Sequence, residues 1–365
     1  MKAGESIKVI DADAHVEEST ETWQFLDPAF SPRRPVAVAL PEDTSFKEHN
    51  AVWIIDNKLR QSAANPTIMA RAQKKKISIA SQELTDVAAR LKDLDRFGIE
   101  KQVIYPSAWI GCLAEDVDLE AALARSYNQF MARQCGCSGG RLYYAAVLPF
   151  RRPEAATEEI RRVARMGSAV SIFMRGLEWD LPIHHPSFRP IFGEAERQRL
   201  AVAVHLGFGS PTISRMFDGM PRIEGELAFV PPSGGRLASA LLIQFAFHNL
   251  IKDSLIDRYP ALRWAFLEGG SEWLIPAIRA LDRSGFECKK YFAEGRIFVS
   301  CEPDEDLPYV ASKLGEECLV VASDMPHSDD FHHDRPEETF RERGGLSESL
   351  LRKMLRENAA RLYGI

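Results

Sequence analysis

Apolar positions fall into two kinds of run that alternate along the chain. Short, nearly continuous ones read as buried strands: IKVIDADAH, KQVIYPS, LYYAAVLPF, AVSIFMRG, AVAVHLG, LRWAFLEGG, RIFVSCEPDE and CLVVASDMPH. Longer ones repeat their apolar residues at helical spacing: TDVAARLKDLDRFGI, stopping at Gly98; DLEAALARSYNQFMARQCG; PEAATEEIRRVARMG, opened by Pro153 and closed by Gly167; PSFRPIFGEAERQRL; and DLPYVASKLG. Strands alternating with helices predict parallel pairing through crossovers, and eight of them predict an α/β (β/α)8 TIM barrel.

Two intervals break the alternation, about 27–82 after the first strand and about 206–240 after AVHLG. Both follow strands, which places them on the face of a barrel where chemistry collects, and loops of that length serve as lids or binding elements. No repeat, low-complexity tract or linker divides the chain, so one domain over 1–365 is expected. The short basic run RAQKKKISIA reads as solvated surface.

Composition narrows the partners. Of 365 residues, 45% are hydrophobic and 27% charged, ordinary values for a chain with a sizeable core. A formal charge of −6 offers no basic field for nucleic acid, and no apolar run is long enough to span a bilayer. A small-molecule substrate is the expected partner, with a homodimer or a related subunit as the expected assembly. The six cysteines are scattered, which suits a reducing cytoplasm; the close pair Cys135 and Cys137 precedes a turn and is not read as a metal or redox site.

Chemistry concentrates where the strands end. Asp13 and His15 close the first strand, His205 the fifth, Glu268 the sixth, Glu302 the seventh and Asp324 the eighth. Alternation puts Asp11, Asp13 and His15 on one face. Buried charges must be paired or bound to metal, and here carboxylates and imidazoles outnumber local Lys or Arg. A divalent cation is the economical partner, with Asp13 and His15 as ligands and Asp11 orienting the strand. His184, His185, His332 and His333 lie in polar segments and read as solvated; His49 is uninformative. Trp53, Trp109, Trp179, Phe208 and Phe217 fall near strand-end loops and suggest a partly apolar pocket.

Taken together, Asp-x-His on the first strand, VHLG on the fifth, the Gly-Gly turn in DRYPALRWAFLEGGSEWLIPAIRALDR, SDMPH on the eighth, RLKDLDRFGIEKQVIYPS and the closing ENAARLYGI resemble the amidohydrolase-related branch of the amidohydrolase superfamily, which contains aminocarboxymuconate semialdehyde decarboxylase. The resemblance implies a distorted TIM barrel with a divalent metal at the C-terminal strand ends, held by Asp13, His15, His205 and Asp324. Two departures stand out. Asp13 replaces the first histidine of His-x-His, and Glu268 replaces the histidine that ends the sixth strand.

Charge counting bears on the chemistry. Asp13, Glu268 and Asp324 supply three carboxylates, while His15, His205 and His248 supply three imidazoles. This mixture suits iron or manganese and resembles the superfamily's dinuclear non-haem monooxygenases. The leading expectation is therefore O2-dependent hydroxylation of a small molecule at an Fe/Fe or Mn/Fe centre. The alternative is a mononuclear Zn or Mn hydrolase or decarboxylase acting on a small carboxylated substrate, with Glu268 as general base. A catalytically silent homologue is disfavoured by the full ligand inventory. Glu268 and Glu302 are the candidate catalytic carboxylates; Arg175, Trp109 and His327 are candidate substrate contacts, Arg175 as a carboxylate clamp.

Overall fold

Strand β1 (Val9–Val16) is buried at every position, so its alternating carboxylates and imidazole project into the protein. The computed structural model describes residues 6–43, 50–60, 65–216, 234–327 and 335–365. Seven further barrel strands follow: β2 (Ile99–Pro106), β3 (Leu142–Ala146), β4 (Ala169–Arg175), β5 (Ala201–His205), β6 (Trp264–Leu267), β7 (Ile297–Ser300) and β8 (Leu319–Val320). They form one eight-stranded sheet in chain order, with every neighbouring pair parallel.

The sheet curls until its edges meet. Ala12 N–H donates to the Val321 carbonyl at 3.0 Å, Asp324 N–H to the Asp13 carbonyl at 3.1 Å and His15 N–H to the Met325 carbonyl at 2.6 Å. The architecture is the (β/α)8 barrel that the alternation predicts. Because β8 is short, this seam is made largely by residues beyond its regular part.

Helices α1 (Val87–Phe97), α2 (Val117–Gly136), α3 (Pro153–Met166), α4 (Arg189–Arg197), α5 (Gly234–Lys252), α6 (Leu274–Arg283) and α7 (Leu307–Leu314) connect the strands. Local chemistry sets their ends. Asp86 caps α1 by accepting from Ala88 and Ala89 N–H, and Gly98 ends it with φ of 74°, a left-handed conformation open to glycine.

From α1, the buried guanidinium of Arg90 donates to the carbonyls of Ser81, His15 and Met325 and to Gln102 Oε1. One side chain thus ties both sides of the seam to the first inserted interval. At the other end of the chain, the Tyr363 hydroxyl donates to the Ala12 carbonyl at 2.7 Å and lies 2.8 Å from the Tyr105 hydroxyl.

The interval about 27–82 carries a small antiparallel sheet (Val36–Ala39, Ala51–Ile55, Lys58–Arg60) and two short helices (Ala70–Gln73, Ile79–Gln82). Trp53 anchors the sheet edge-on against Trp23, ring centroids 6.0 Å apart. The basic run corrects the surface expectation in part. Lys74 and Lys76 are exposed, but Lys75 turns inward and donates to Glu17 Oε1 at 3.0 Å and to the Pro326 carbonyl at 2.7 Å.

In the interval about 206–240 the described parts are a short helix (Pro211–Met216) and the start of α5; Phe217 lies outside the described residues, as do His49, His332 and His333. His184 and His185 are half-buried rather than solvated, and His185 caps the turn Pro186–Phe188. All six cysteines are unpaired. Among the described residues, no helix is long and apolar enough to cross a membrane.

Candidate metal centre

Asp13 and His15 leave β1 on the same face and meet His205 from the end of β5. The ligand-type atoms of these three residues lie within 4.8 Å of one another. His205 Nε2 is 3.3 Å from Asp13 Oδ2 and 3.1 Å from Glu268 Oε2. His15 Nε2 is 3.7 Å from Asp13 Oδ1 and 3.4 Å from Asp324 Oδ1. A second group, His15 with Asp324 and His327, shares the His15 ring with the first.

These contacts are short, yet among the described residues neither His15 Nε2 nor His205 Nε2 makes a hydrogen bond of acceptable geometry, nor does Asp13 Oδ1. Buried polar atoms left in that state are costly. His205 shows why. Its Nδ1–H donates to the Leu206 carbonyl at 2.7 Å, which leaves the lone pair of a neutral ring on Nε2, facing the carboxylates. A lone pair opposite carboxylate oxygens calls for a positive centre between them, a proton or a metal ion, and the mixed nitrogen and oxygen donors suit a divalent metal.

Charge in the site points the same way. Burial pulls His205 down, but the Asp13 and Glu268 carboxylates outweigh it and raise the imidazole to about 10. Burial and the neighbouring His327 and His205 hold His15 well below its ordinary value. Two imidazoles in one site are thus driven in opposite directions, and a proton on His205 occupies the place between the carboxylates that a divalent cation would take.

The segments that carry these side chains are held firmly. Asp11, the deepest acid of β1, accepts from Gln102 Nε2 at 2.7 Å, from Ser323 N–H at 2.8 Å and from Ser323 Oγ at 2.6 Å. It thereby braces the strand beneath Asp13 and the loop before Asp324. Glu268 and Asp324 both take left-handed backbone conformations, with φ of 60° and 54°. Such strain at two carboxylates facing one site is the pattern expected where function dictates backbone shape. Tyr105 and Phe173 flank the His205 ring at centroid distances of 5.5 and 5.6 Å and keep that side apolar.

The amidohydrolase sequence profile matches residues 105–365, well over half of the chain. The chain belongs to the amidohydrolase family. A gamma-resorcylate decarboxylase from Rhizobium sp. (strain MTP-10005) is 28% identical over 186 residues, covering 48% of this amidohydrolase and 57% of the decarboxylase. The match therefore spans little more than half the length of that relative. An amidohydrolase from Mycobacterium avium subsp. paratuberculosis K-10 shares the fold with a TM-score of 0.80 at 19% identity, covering 99% of this chain and 100% of that one. A dihydroxybenzoic acid decarboxylase from Polaromonas sp. JS666, solved with manganese and 2-nitroresorcinol, shares it with a TM-score of 0.56 at 18% identity, covering 75% and 85%.

Within this amidohydrolase, the remaining sequence-predicted residues take varied places. Asp324 and Glu268 flank the three grouped side chains Asp13, His15 and His205. His327 stacks on His15 with centroids 4.1 Å apart, and its Nδ1 lies 2.8 Å from Asp324 Oδ1. His248 is not brought in: α5 buries Leu242, Ile243, Ala246, Phe247 and Leu250, and helical phase leaves His248 on the flank of that face. Glu302 also stays outside both ligand groups. Its backbone N–H donates to Glu305 Oε2 at 2.8 Å, while Glu305 also accepts from Ser271 and Glu272 and so joins the loops after β6 and β7.

Arg175, expected as a carboxylate clamp, is engaged by groups of the protein itself. The guanidinium is ion-paired to Glu178 and donates through Nη1 to the Trp109 and Gly111 carbonyls at 3.1 and 2.7 Å. Trp109 is a core residue, packed on Trp23 and Tyr127 at 5.5 and 5.2 Å. Sequence reasoning missed Ser107, whose Oγ is 2.9 Å from His327 Nε2, and Lys75. It also missed Glu18, a fully buried carboxyl accepting from Ala108 N–H at 2.8 Å. The signal for Glu18 was its place directly after the Asp-x-His strand.

Proposed function

We propose that this amidohydrolase is a metal-dependent decarboxylase of a small carboxylated substrate, using one divalent cation held by Asp13, His15, His205 and Asp324. The observation that carries the reading is the pair of buried imidazole nitrogens, one on His15 and one on His205, that face Asp13 without hydrogen-bonding to it. The Rhizobium relative is a decarboxylase, and the Polaromonas decarboxylase holds manganese; both support this chemistry over oxygenation.

When bound, the cation supplies a Lewis acid that stabilises negative charge developing on the substrate. The chain's own residues do the rest. Leu206 fixes the His205 tautomer, Asp11 braces the strand, and the Tyr105 and Phe173 rings exclude water on one side. Glu268, with Oε2 3.1 Å from His205 Nε2, is placed to relay a proton to the substrate. The bond between the substrate carbon and its carboxyl breaks, CO2 leaves, the electron pair stays on that carbon, and the proton relayed by Glu268 replaces the carboxyl group.

A second reading, hydroxylation at a dinuclear Fe/Fe or Mn/Fe centre, draws on the second ligand group of His15, Asp324 and His327. Metal analysis and gas exchange separate the two. One divalent metal per chain, with CO2 released from gamma-resorcylate or a related hydroxybenzoate under anaerobic conditions, supports the decarboxylase. Two irons or manganese per chain with substrate-dependent O2 uptake would replace it with the oxygenase. No retained metal after growth with Mn, Fe and Zn would remove both.

A further inference from the structure

His327 touches two of the residues assigned to the cation and is itself held from behind. Its Nδ1 lies 2.8 Å from Asp324 Oδ1, its Nε2 lies 2.9 Å from Ser107 Oγ, and its ring stacks on His15 at 4.1 Å with an interplanar angle of 26°. The backbone around it is anchored separately: His327 N–H donates to the Asp324 carbonyl at 2.8 Å, and Lys75 Nζ donates to the Pro326 carbonyl at 2.7 Å. The ring therefore has little freedom to turn.

We propose that His327, aimed by the Ser107 hydroxyl, is a positioning residue that sets the orientation of the Asp324 carboxylate and the His15 ring toward the cation. The proposal rests on the metal reading above. A carboxylate oxygen only accepts, so Nδ1 carries the hydrogen and donates it to Asp324; Nε2 then accepts from the Ser107 O–H. An Asp324 oxygen engaged in this way turns the carboxylate to present a single oxygen to a cation rather than both. The stacked ring blocks rotation of His15, so one side chain aligns ligands from β1 and from the loop after β8. This role differs from the substrate contact expected of His327 from the sequence, and from that of a ligand to a second cation.

The test uses Mn2+ alone, titrated into metal-free protein and followed by loss of the free-ion electron paramagnetic resonance signal. Thermal melting of the metal-free forms serves as the fold control. Wild type should bind one Mn2+ per chain. His327→Leu should weaken binding by roughly 10–100-fold, the usual effect of removing a group that orients a ligand. His327→Asn, which keeps a donor near Nδ1, should recover most of that loss, and Ser107→Ala should fall between; melting should be unchanged throughout.

Wild-type affinity in His327→Leu would overturn the role, as would an Asn variant no better than the Leu variant. Should His327→Leu not fold, Ser107→Ala and His327→Asn decide by the same comparison. Two Mn2+ in wild type falling to one in His327→Leu would make His327 a ligand instead. A wild type that binds no Mn2+ would remove the metal reading itself, an outcome distinct from all the others.

Discussion

Arg175 and Glu178, three residues apart at the end of β4, lock together: Arg175 Nε donates to Glu178 Oε1 at 3.1 Å, Nη2 donates to Oε2, and the Arg175 backbone N–H adds a bond of 2.7 Å to Oε1. Both side chains are buried. Removing one partner leaves an uncompensated charge, so Glu178→Gln should cost roughly 3–5 kcal/mol in urea unfolding. The paired replacement Arg175→Met with Glu178→Leu should recover most of it. A Glu178→Gln protein as stable as wild type would return Arg175 to the cations available to a substrate.

The residues proposed to hold the cation make a separate prediction. His205→Ala and Asp324→Ala should each strip most of the bound metal while leaving the far-UV circular dichroism spectrum native. Either variant keeping full metal content would take that residue out of the site. Glu268→Ala should leave the stoichiometry at one and lower turnover by roughly 10²–10⁴-fold, the contribution of a positioned acid or base.

Backbone strain at Glu268 can be isolated by comparing two replacements there. Both Ala and Gly remove the carboxylate, but only Gly adopts φ near 60° without penalty. Glu268→Gly should therefore unfold at higher temperature than Glu268→Ala, by an amount equivalent to about 1 kcal/mol. Equal melting temperatures would show that the left-handed conformation stores nothing.

Two buried acids shape the pH dependence of stability. Burial raises Glu18 from 4.5 to about 8 and Asp11 from 3.8 to about 6. Above the ordinary values the unfolded chain has released these protons while the folded protein keeps them. Stability is thus greatest at the acid end of this window and falls as pH rises from about 4.5 to about 8, each acid contributing a slope of at most about 1.4 kcal/mol per pH unit. Glu18→Gln retains an acceptor for Ala108 N–H and cannot ionise. It should flatten the slope between pH 6 and 8 in a series of urea melts, and an unchanged slope would acquit Glu18.

The barrel and much of its candidate site were legible because parallel strands covered on both faces are nearly continuous apolar runs, and an ionisable residue ending such a run stands out. Asp13, His15, His205, Glu268 and Asp324 were visible for that reason. What was hidden depends on contacts distant in sequence or on phase. His248 has the right chemistry but lies on the flank of the buried face of α5, outside both groups of ligand-type side chains. Lys75 and Glu17 meet across an inserted interval, so a basic run that looked solvated contributes one half-buried, ion-paired cation. Arg175 looked available because nothing in AVSIFMRG announces that Glu178 will fold back on it. Glu302 and Glu305 share one acidic stretch, and only the structure shows that Glu305 ties the loops together.

The seam between the first and last strands has a thermodynamic side. Asp13 and Asp324 stand about 310 residues apart in the chain, and a cation bound by both would act as a reversible cross-link closing almost the whole polypeptide into a ring. Because the cation binds only where the folded chain brings both ends together, its binding free energy adds to the stability of the closed seam, about 2.7 kcal/mol at a hundredfold excess over its dissociation constant. Chelation should therefore loosen the two ends of the chain together. The amides of Ala12, His15 and Asp324, which bond across the seam, are the reporters by which hydrogen exchange would register the ring opening.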